Sequence, residues 1–74
     1  MHVRHEQFES GWLGVSIALT DQEVSQLIDR LRELQRGELG HFHVRNDRWE
    51  GDLRVADIES SMKGVEEADN MQLE

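Results

Sequence analysis

The longest periodic run of apolar residues in the chain follows Thr20. Its members recur at spacings of three and four residues, which places them in one stripe along an α-helix; they are Val24, Leu27, Ile28, Leu31 and Leu34. A stripe of this width is typical of a helix that packs one side against a core. The pattern therefore predicts one amphipathic helix in the middle of the chain.

Both ends of this helix carry recognisable signals. Thr20 precedes Glu23 by three residues, the spacing of a capping box in which each side chain bonds the other residue's backbone N–H. Gly37 follows the last apolar position, where glycine commonly ends a helix in a left-handed conformation. These signals predict a helix from Asp21 to Arg36.

The segment before the helix alternates between large aliphatic and small residues, which is the period of a β-strand. One face carries aliphatic side chains and is expected to lie under the helix; its residues are Leu13, Val15, Ile17 and Leu19. The opposite face is small and flat, and it is a possible dimer face; its residues are Trp12, Gly14, Ser16 and Ala18.

Three further segments read as strands. They are residues 2–8 ahead of a turn at Glu9 to Gly11, residues 41–45 after the helix, and residues 52–62, with a bulge or twist near Ala56 and Asp57. The predicted fold is α+β, with an open, largely antiparallel sheet of three to four strands in the order β-β-α-β-β and one helix packed on one face. Residues 1–62 form the predicted single domain, and residues 63–74 an acidic flexible C-terminal tail.

The net charge of the chain limits the classes of partner that it can bind. Sixteen acidic residues against eight basic ones give a formal net charge of −8 over 74 residues, which disfavours binding to nucleic acid and favours approach to a basic protein. The sequence has no apolar segment of the roughly 20 residues needed to span a membrane. It also has no cysteine, which agrees with a reducing compartment, and we expect a cytoplasmic protein.

Two histidines around a phenylalanine raise the question of a metal site. His41 and His43 are two positions apart on a predicted strand, so both rings project from the same face. Two ligands leave a zinc coordination sphere open, and although His2, His5, Asp57 or Glu59 can supply a third, no spacing requires it. We therefore expect no metal and no other cofactor.

Catalytic motifs are lacking, since no nucleophile elbow, phosphate-binding loop or oriented acid–base pair can be read from the chain. The sequence predicts a protein that is not an enzyme.

A loop of acidic and aromatic residues offers a surface for binding a partner protein, because a tryptophan can anchor an interface while carboxylates steer a basic partner. Its residues are Asp47, Trp49, Glu50 and Asp52.

The segments GWLGVSIAL, TDQEVSQLIDRLRELQRG, GHFHV and VADIE together resemble a group of small bacterial α+β proteins among the immunity proteins of polymorphic toxin systems. The likeness covers roughly Gly11 to Glu59. It implies a non-enzymatic protein that neutralises a basic toxin by binding it. Two alternatives remain open: a metal- or ligand-binding module that uses His41 and His43, and a structural domain that forms a homodimer.

Overall fold

The structure, a computed structural model, describes residues 1–47 and 54–74. This part of the chain contains one α-helix and four β-strands in the order β-β-α-β-β, as the sequence predicted. Their bounds are β1 His2–Gln7, β2 Leu13–Ala18, α1 Asp21–Gln35, β3 His41–Arg45 and β4 Asp57–Ser61. The protein therefore belongs to the broad α+β class.

The strands do not form the single open sheet that the sequence predicted. β1 pairs with β2, and β3 pairs with β4, so that the described residues form two separate antiparallel sheets of two strands each. The prediction of three to four strands in one sheet is wrong. Alternation of side chains identifies which residues share a face of a strand, but it does not identify the neighbouring strand.

Helix α1 begins at Asp21 as predicted and ends at Gln35, one residue before the predicted end. The Thr20 hydroxyl accepts a hydrogen bond from the Glu23 backbone N–H at 3.2 Å, and the Glu23 carboxylate accepts one from the Thr20 N–H at 3.0 Å. At the other end Arg36 is the C-cap, and Gly37 has a φ of +77°. The N–H of Glu38 then bonds the carbonyl of Glu33 at 2.9 Å, which completes a Schellman motif.

The core lies between α1 and the second hairpin, because α1 contacts β3. Leu34 is the one buried apolar side chain among the described residues, with 6% of its surface exposed. The helix and both strands of the second hairpin also carry half-buried apolar side chains; they are Leu27, Phe42, Val44 and Ile58. The apolar face of β3–β4 is therefore the one that the helix covers.

The first hairpin differs from the expectation in one important respect. The aliphatic side chains of β2 do not lie under the helix: Leu13 is 63% exposed, Val15 55% and Ile17 45%. On the helix itself, Val24, Ile28 and Leu31 also stay exposed. The expectation that α1 covers β2 is wrong, because the helix packs on the strand that follows it in the chain.

The two hairpins differ in the segments next to their strands. The turn between β1 and β2 is closed by the N–H of Gly11, which bonds the Phe8 carbonyl at 2.9 Å with a φ of +89° at Gly11. β4 begins at Asp57, later than predicted, and residues 54–56 lead into it without strand structure. Residues 62–74 are exposed and contain no helix or strand.

Candidate functional site

The second hairpin carries a polar face on the side away from Phe42 and Val44. Directly opposed residues of an antiparallel pair point to the same side of the sheet, and the register opposes His41 to Ser61, His43 to Glu59, and Arg45 to Asp57. This set of six residues is called the polar face below. It concentrates the ionisable side chains of β3 and β4 in one patch.

Three potential metal ligands meet at the centre of the polar face. The rings of His41 and His43 lie edge to face, with their centroids 5.0 Å apart and an angle of 87° between their planes. Glu59 is directly across from His43. One ligand atom from each of these three residues lies within 4.8 Å of the other two.

Asp57 orients the second histidine. Nδ1 of His43 lies 2.9 Å from Oδ1 of Asp57 and 3.1 Å from Oδ2. An ionised carboxylate can only accept, so Nδ1–H is the donor in this contact, and Nε2 is the nitrogen that a neutral imidazole then leaves unprotonated. Nε of Arg45 donates to the same Oδ1 at 3.4 Å, which holds the carboxylate from its other side.

These polar contacts lie at the surface, and their effect is orientation more than stability. The side chain of His43 is 22% exposed, that of Asp57 43% and that of Arg45 56%. Ion pairs with this much solvent contribute at most about 1 kcal/mol. Their structural consequence is that the His43 ring is held in one orientation, whereas His41 and Glu59 are exposed.

The predicted partner-binding loop is described only in part. Asp47 is exposed in the turn after β3 and borders an open depression of about 320 Å³ beside Arg45 and Asp57. Trp49, Glu50 and Asp52 lie outside the described residues. Their role as contact residues stays a prediction.

The predicted dimer face of β2 is less flat than its sequence suggests. Trp12, Ser16 and Ala18 are exposed, whereas Gly14 is half-buried. The ring of Phe8 lies over this glycine, so that an added Cβ at Gly14 would be 3.1 Å from its Cζ atom. Phe8 thus covers the middle of the face and leaves its two ends open.

The other face of β2, formed by Leu13, Val15 and Ile17, is called the aliphatic face below. Val3, His5 and Gln7 of β1 are the cross-strand partners of these residues and share the face. An open depression of about 290 Å³ lies on it, lined in part by Leu13, Val15, Arg54 and Val55. The aliphatic face is therefore approached by one short segment of the chain but not closed by it.

One ion pair joins the start of the first hairpin to the helix. The amino group of Met1 contacts Glu23 at 2.5 Å. This hydrogen bond and those from Thr20 lower the pKa of Glu23 from 4.5 to about 2, against a smaller opposing effect of burial. Glu23 therefore serves the helix cap and the Met1 contact together.

Comparison with known proteins found no matching family model, no significantly similar curated protein and no significantly similar solved structure. The resemblance to immunity proteins accordingly stays a prediction from the sequence. Within the described residues, no helix has the length and apolar character needed to cross a lipid bilayer.

Sequence reasoning found the two histidines of the polar face but not their arrangement with the acidic residues. It named Asp57 and Glu59 among four possible third ligands and could not choose between them. The missing information is the register of β3 against β4, which puts Glu59 opposite His43 and Asp57 two pairs further along, opposite Arg45.

Proposed function

We propose that this protein is a non-enzymatic protein-interaction module, and that a second copy of the chain covers its aliphatic face. The observation that carries the proposal is the size of the exposed surface. A folded monomer of 8.6 kDa is expected to expose about 4,700 Å², whereas this chain exposes 7039 Å². The difference of about 2,300 Å² exceeds the roughly 800 Å² that each partner buries in a standard interface.

The dimensions of the chain support the same conclusion. Its radius of gyration is 14.2 Å, against about 11 Å for a compact domain of this length. The exposed residues 62–74 account for part of the extra area. Large aliphatic side chains on β2 and α1 are also exposed, and exposed apolar patches of this kind mark interaction surfaces.

A two-stranded sheet needs another element packed on its apolar face to be stable in water. An isolated hairpin is at best marginally stable in water, and it becomes stable when a helix or another sheet packs on its apolar face. In the described residues, α1 supplies that cover to β3–β4. A second hairpin packed face to face about a two-fold axis would supply it to β1–β2, as in other symmetric dimers.

The distribution of charge favours a second copy as the occupant of the aliphatic face. Residues 1–36, which contain the first hairpin and the helix, have six acidic and four basic residues. Residues 37–74 have ten acidic and four basic residues. Two nearly neutral halves can meet without strong repulsion, and the acidic halves then remain outside the interface.

The acidic half supports a second candidate, namely binding of a basic protein in the manner of an immunity protein. The specific observation is that most of the net charge of −8 lies in residues 37–74, where Asp47 is exposed. This charge would speed association with a basic partner at low salt. The two candidates are compatible, because they use different halves of the chain.

A non-enzymatic role is supported by the environment of the polar groups. Catalytic acids and bases are usually tuned by desolvation in a pocket. No polar or charged side chain is buried in the part of the chain that the structure describes. The described depressions are open to solvent, which suits contact with a macromolecule better than enclosure of a substrate.

Two neighbouring substitutions on opposite faces of β2 test the proposal. Val15→Lys places an ammonium group on the aliphatic face, and Ser16→Lys places the same group on the opposite face. We expect sedimentation velocity to show a dimer for the unaltered chain, a dissociation constant raised at least about 100-fold by Val15→Lys, equal to about 2.7 kcal/mol, and little change with Ser16→Lys. Circular dichroism checks that both variants keep their helix.

The remaining outcomes decide between the alternatives. A dimer that only Ser16→Lys disrupts assigns the interface to the face of Trp12, Gly14, Ser16 and Ala18 and overturns the proposed face. A monomer at all concentrations overturns self-association. The basic protein partner then replaces the second copy as the occupant to be sought.

A further inference from the structure

We propose that the polar face of β3–β4 holds a divalent transition-metal ion of the zinc type, with His41, His43 and Glu59 as its protein ligands and Asp57 as the residue that positions His43. This inference is independent of the proposed dimer. It assigns a binding function to side chains that self-association through β2 does not use.

The three ligands come from adjacent positions that the hairpin holds in fixed register. His41 and His43 are successive residues on the same face of β3, and Glu59 is paired with His43 across the sheet. Their ligand atoms lie within 4.8 Å of one another. Ligands bonded at about 2.0–2.1 Å to a tetrahedral ion are roughly 3.3 Å apart, so a movement of about 1.5 Å or less closes the site.

The side chains that must move are free to do so. His41 and Glu59 are exposed, and rotations about their side-chain bonds bring their ligand atoms inward without disturbing the backbone. His43, the ligand at the centre, is already held by its contact with Asp57. The site therefore has one fixed ligand and two adaptable ones.

Asp57 gives an observation that is independent of the cluster itself. Histidine ligands of metals commonly donate their second ring N–H to a carboxylate, which fixes the ring and makes the other nitrogen a better donor. His43 makes this contact to both oxygens of Asp57 at 2.9 and 3.1 Å. When Nδ1 carries the proton, Nε2 is the nitrogen of a neutral imidazole that can bind a metal ion.

The donor set selects the class of metal. Two imidazoles and one carboxylate suit zinc and its neighbours, whereas calcium and magnesium prefer sites made of oxygen ligands. Glu59 and Asp57 bring two negative charges and Arg45 one positive charge, so the local charge complements a divalent cation. Three protein ligands leave one position for water or another donor, as in zinc sites that are not closed.

The test is a calorimetric titration of the tag-free chain with Zn²⁺, because a polyhistidine tag would bind the ion itself. We expect one ion per chain. His41→Ala and Glu59→Gln, which alter exposed side chains, should each weaken binding at least tenfold. Asp57→Asn should weaken it about 10- to 100-fold through the orientation of His43.

The matched control uses the two histidines of the first hairpin. The double variant His2→Ala with His5→Ala removes as many imidazoles but none of the proposed ligands, and its affinity should stay within twofold of the unaltered chain. Loading with Co²⁺ adds a direct readout, since its visible absorption reports imidazole coordination and should be lost in His43→Ala. The proposal is overturned if the unaltered chain binds no stoichiometric Zn²⁺, or if the control weakens binding as much as the ligand variants.

Discussion

The two hairpins of this protein have the same antiparallel architecture but different surroundings. The hairpin β3–β4 has Phe42 and Val44 half-buried on the side where α1 packs, and its other face is polar. The hairpin β1–β2 has more exposed aliphatic surface, and among the described residues no element covers it to the same degree. The comparison shows that the single helix suffices for one hairpin of this chain and not for both.

The two connections of the helix differ in geometry. A Schellman motif at Gly37 turns the chain sharply at the end of α1, and only three residues separate Gly37 from the start of β3, so the helix and β3 fold back against each other. β2 precedes the helix and is joined to it by Leu19 and Thr20. In the two proposals above, the covered hairpin binds a metal ion on its polar face and the other hairpin binds a second copy of the chain.

The largest loss of stability is expected from changing the buried leucine of the helix that packs on the second hairpin. Leu34→Ala should reduce the free energy of unfolding by about 2–5 kcal/mol, because Leu34 is only 6% exposed. A domain of this size has little stability beyond that amount. Thermal or urea unfolding followed by circular dichroism measures the change.

Leu31→Ala is the matched control, since it removes the same atoms from the same helix one turn earlier. Leu31 is 47% exposed, so the loss should be about 1 kcal/mol, in proportion to the apolar area withdrawn from water. Equal losses for the two variants would contradict the described core. They would show that something also covers Leu31.

A smaller change in stability is expected from the Glu23 carboxylate, which joins the start of the first hairpin to the helix. The Met1 amino group and Thr20 hold the pKa of Glu23 at about 2 instead of 4.5. A carboxyl group with a lowered pKa in the folded state contributes stability that is complete above its unfolded pKa and is lost as the pH falls toward the folded one. The contribution of Glu23 should therefore disappear between about pH 4.5 and pH 2.

Glu23→Gln isolates this charge, because glutamine can still complete the capping box. We expect the variant to lose less stability than the unaltered chain as the pH is lowered through that window, as measured by acid titration of the helical signal. Asp21→Asn, at another acidic position in the first turn, is the control and should leave the window in place. Identical acid titrations for Glu23→Gln and the unaltered chain would show that the charge of Glu23 does not stabilise the contact between the first hairpin and the helix.

The sequence predicted the parts of the fold that depend on near neighbours. Thr20, Glu23 and Gly37 act within a few residues of themselves, and their bonds appear as the spacing indicates. Alternation likewise placed His41 and His43 on one face. Each of these features follows from the geometry of one helix or one strand, without knowledge of the remaining chain.

Features that depend on distant pairing could not be predicted in this way. Val15 has the same alternating neighbours whether a helix or solvent covers it, so its exposure could not be read from the pattern. Glu59 became a candidate ligand only through the register that opposes it to His43. The partner of a strand and the cover of a face are set by contacts between segments far apart in the sequence.

The central claim is that another chain stabilises the first hairpin. Amide hydrogen exchange, measured residue by residue above and below the dimer dissociation constant, tests it most directly. If a second copy covers the aliphatic face, the backbone amides that bond across β1 and β2 are protected from exchange at high protein concentration and lose that protection on dilution. The amides of α1, β3 and β4 should change much less. Equal protection of both hairpins at every concentration, in a chain that sediments as a monomer, would contradict it.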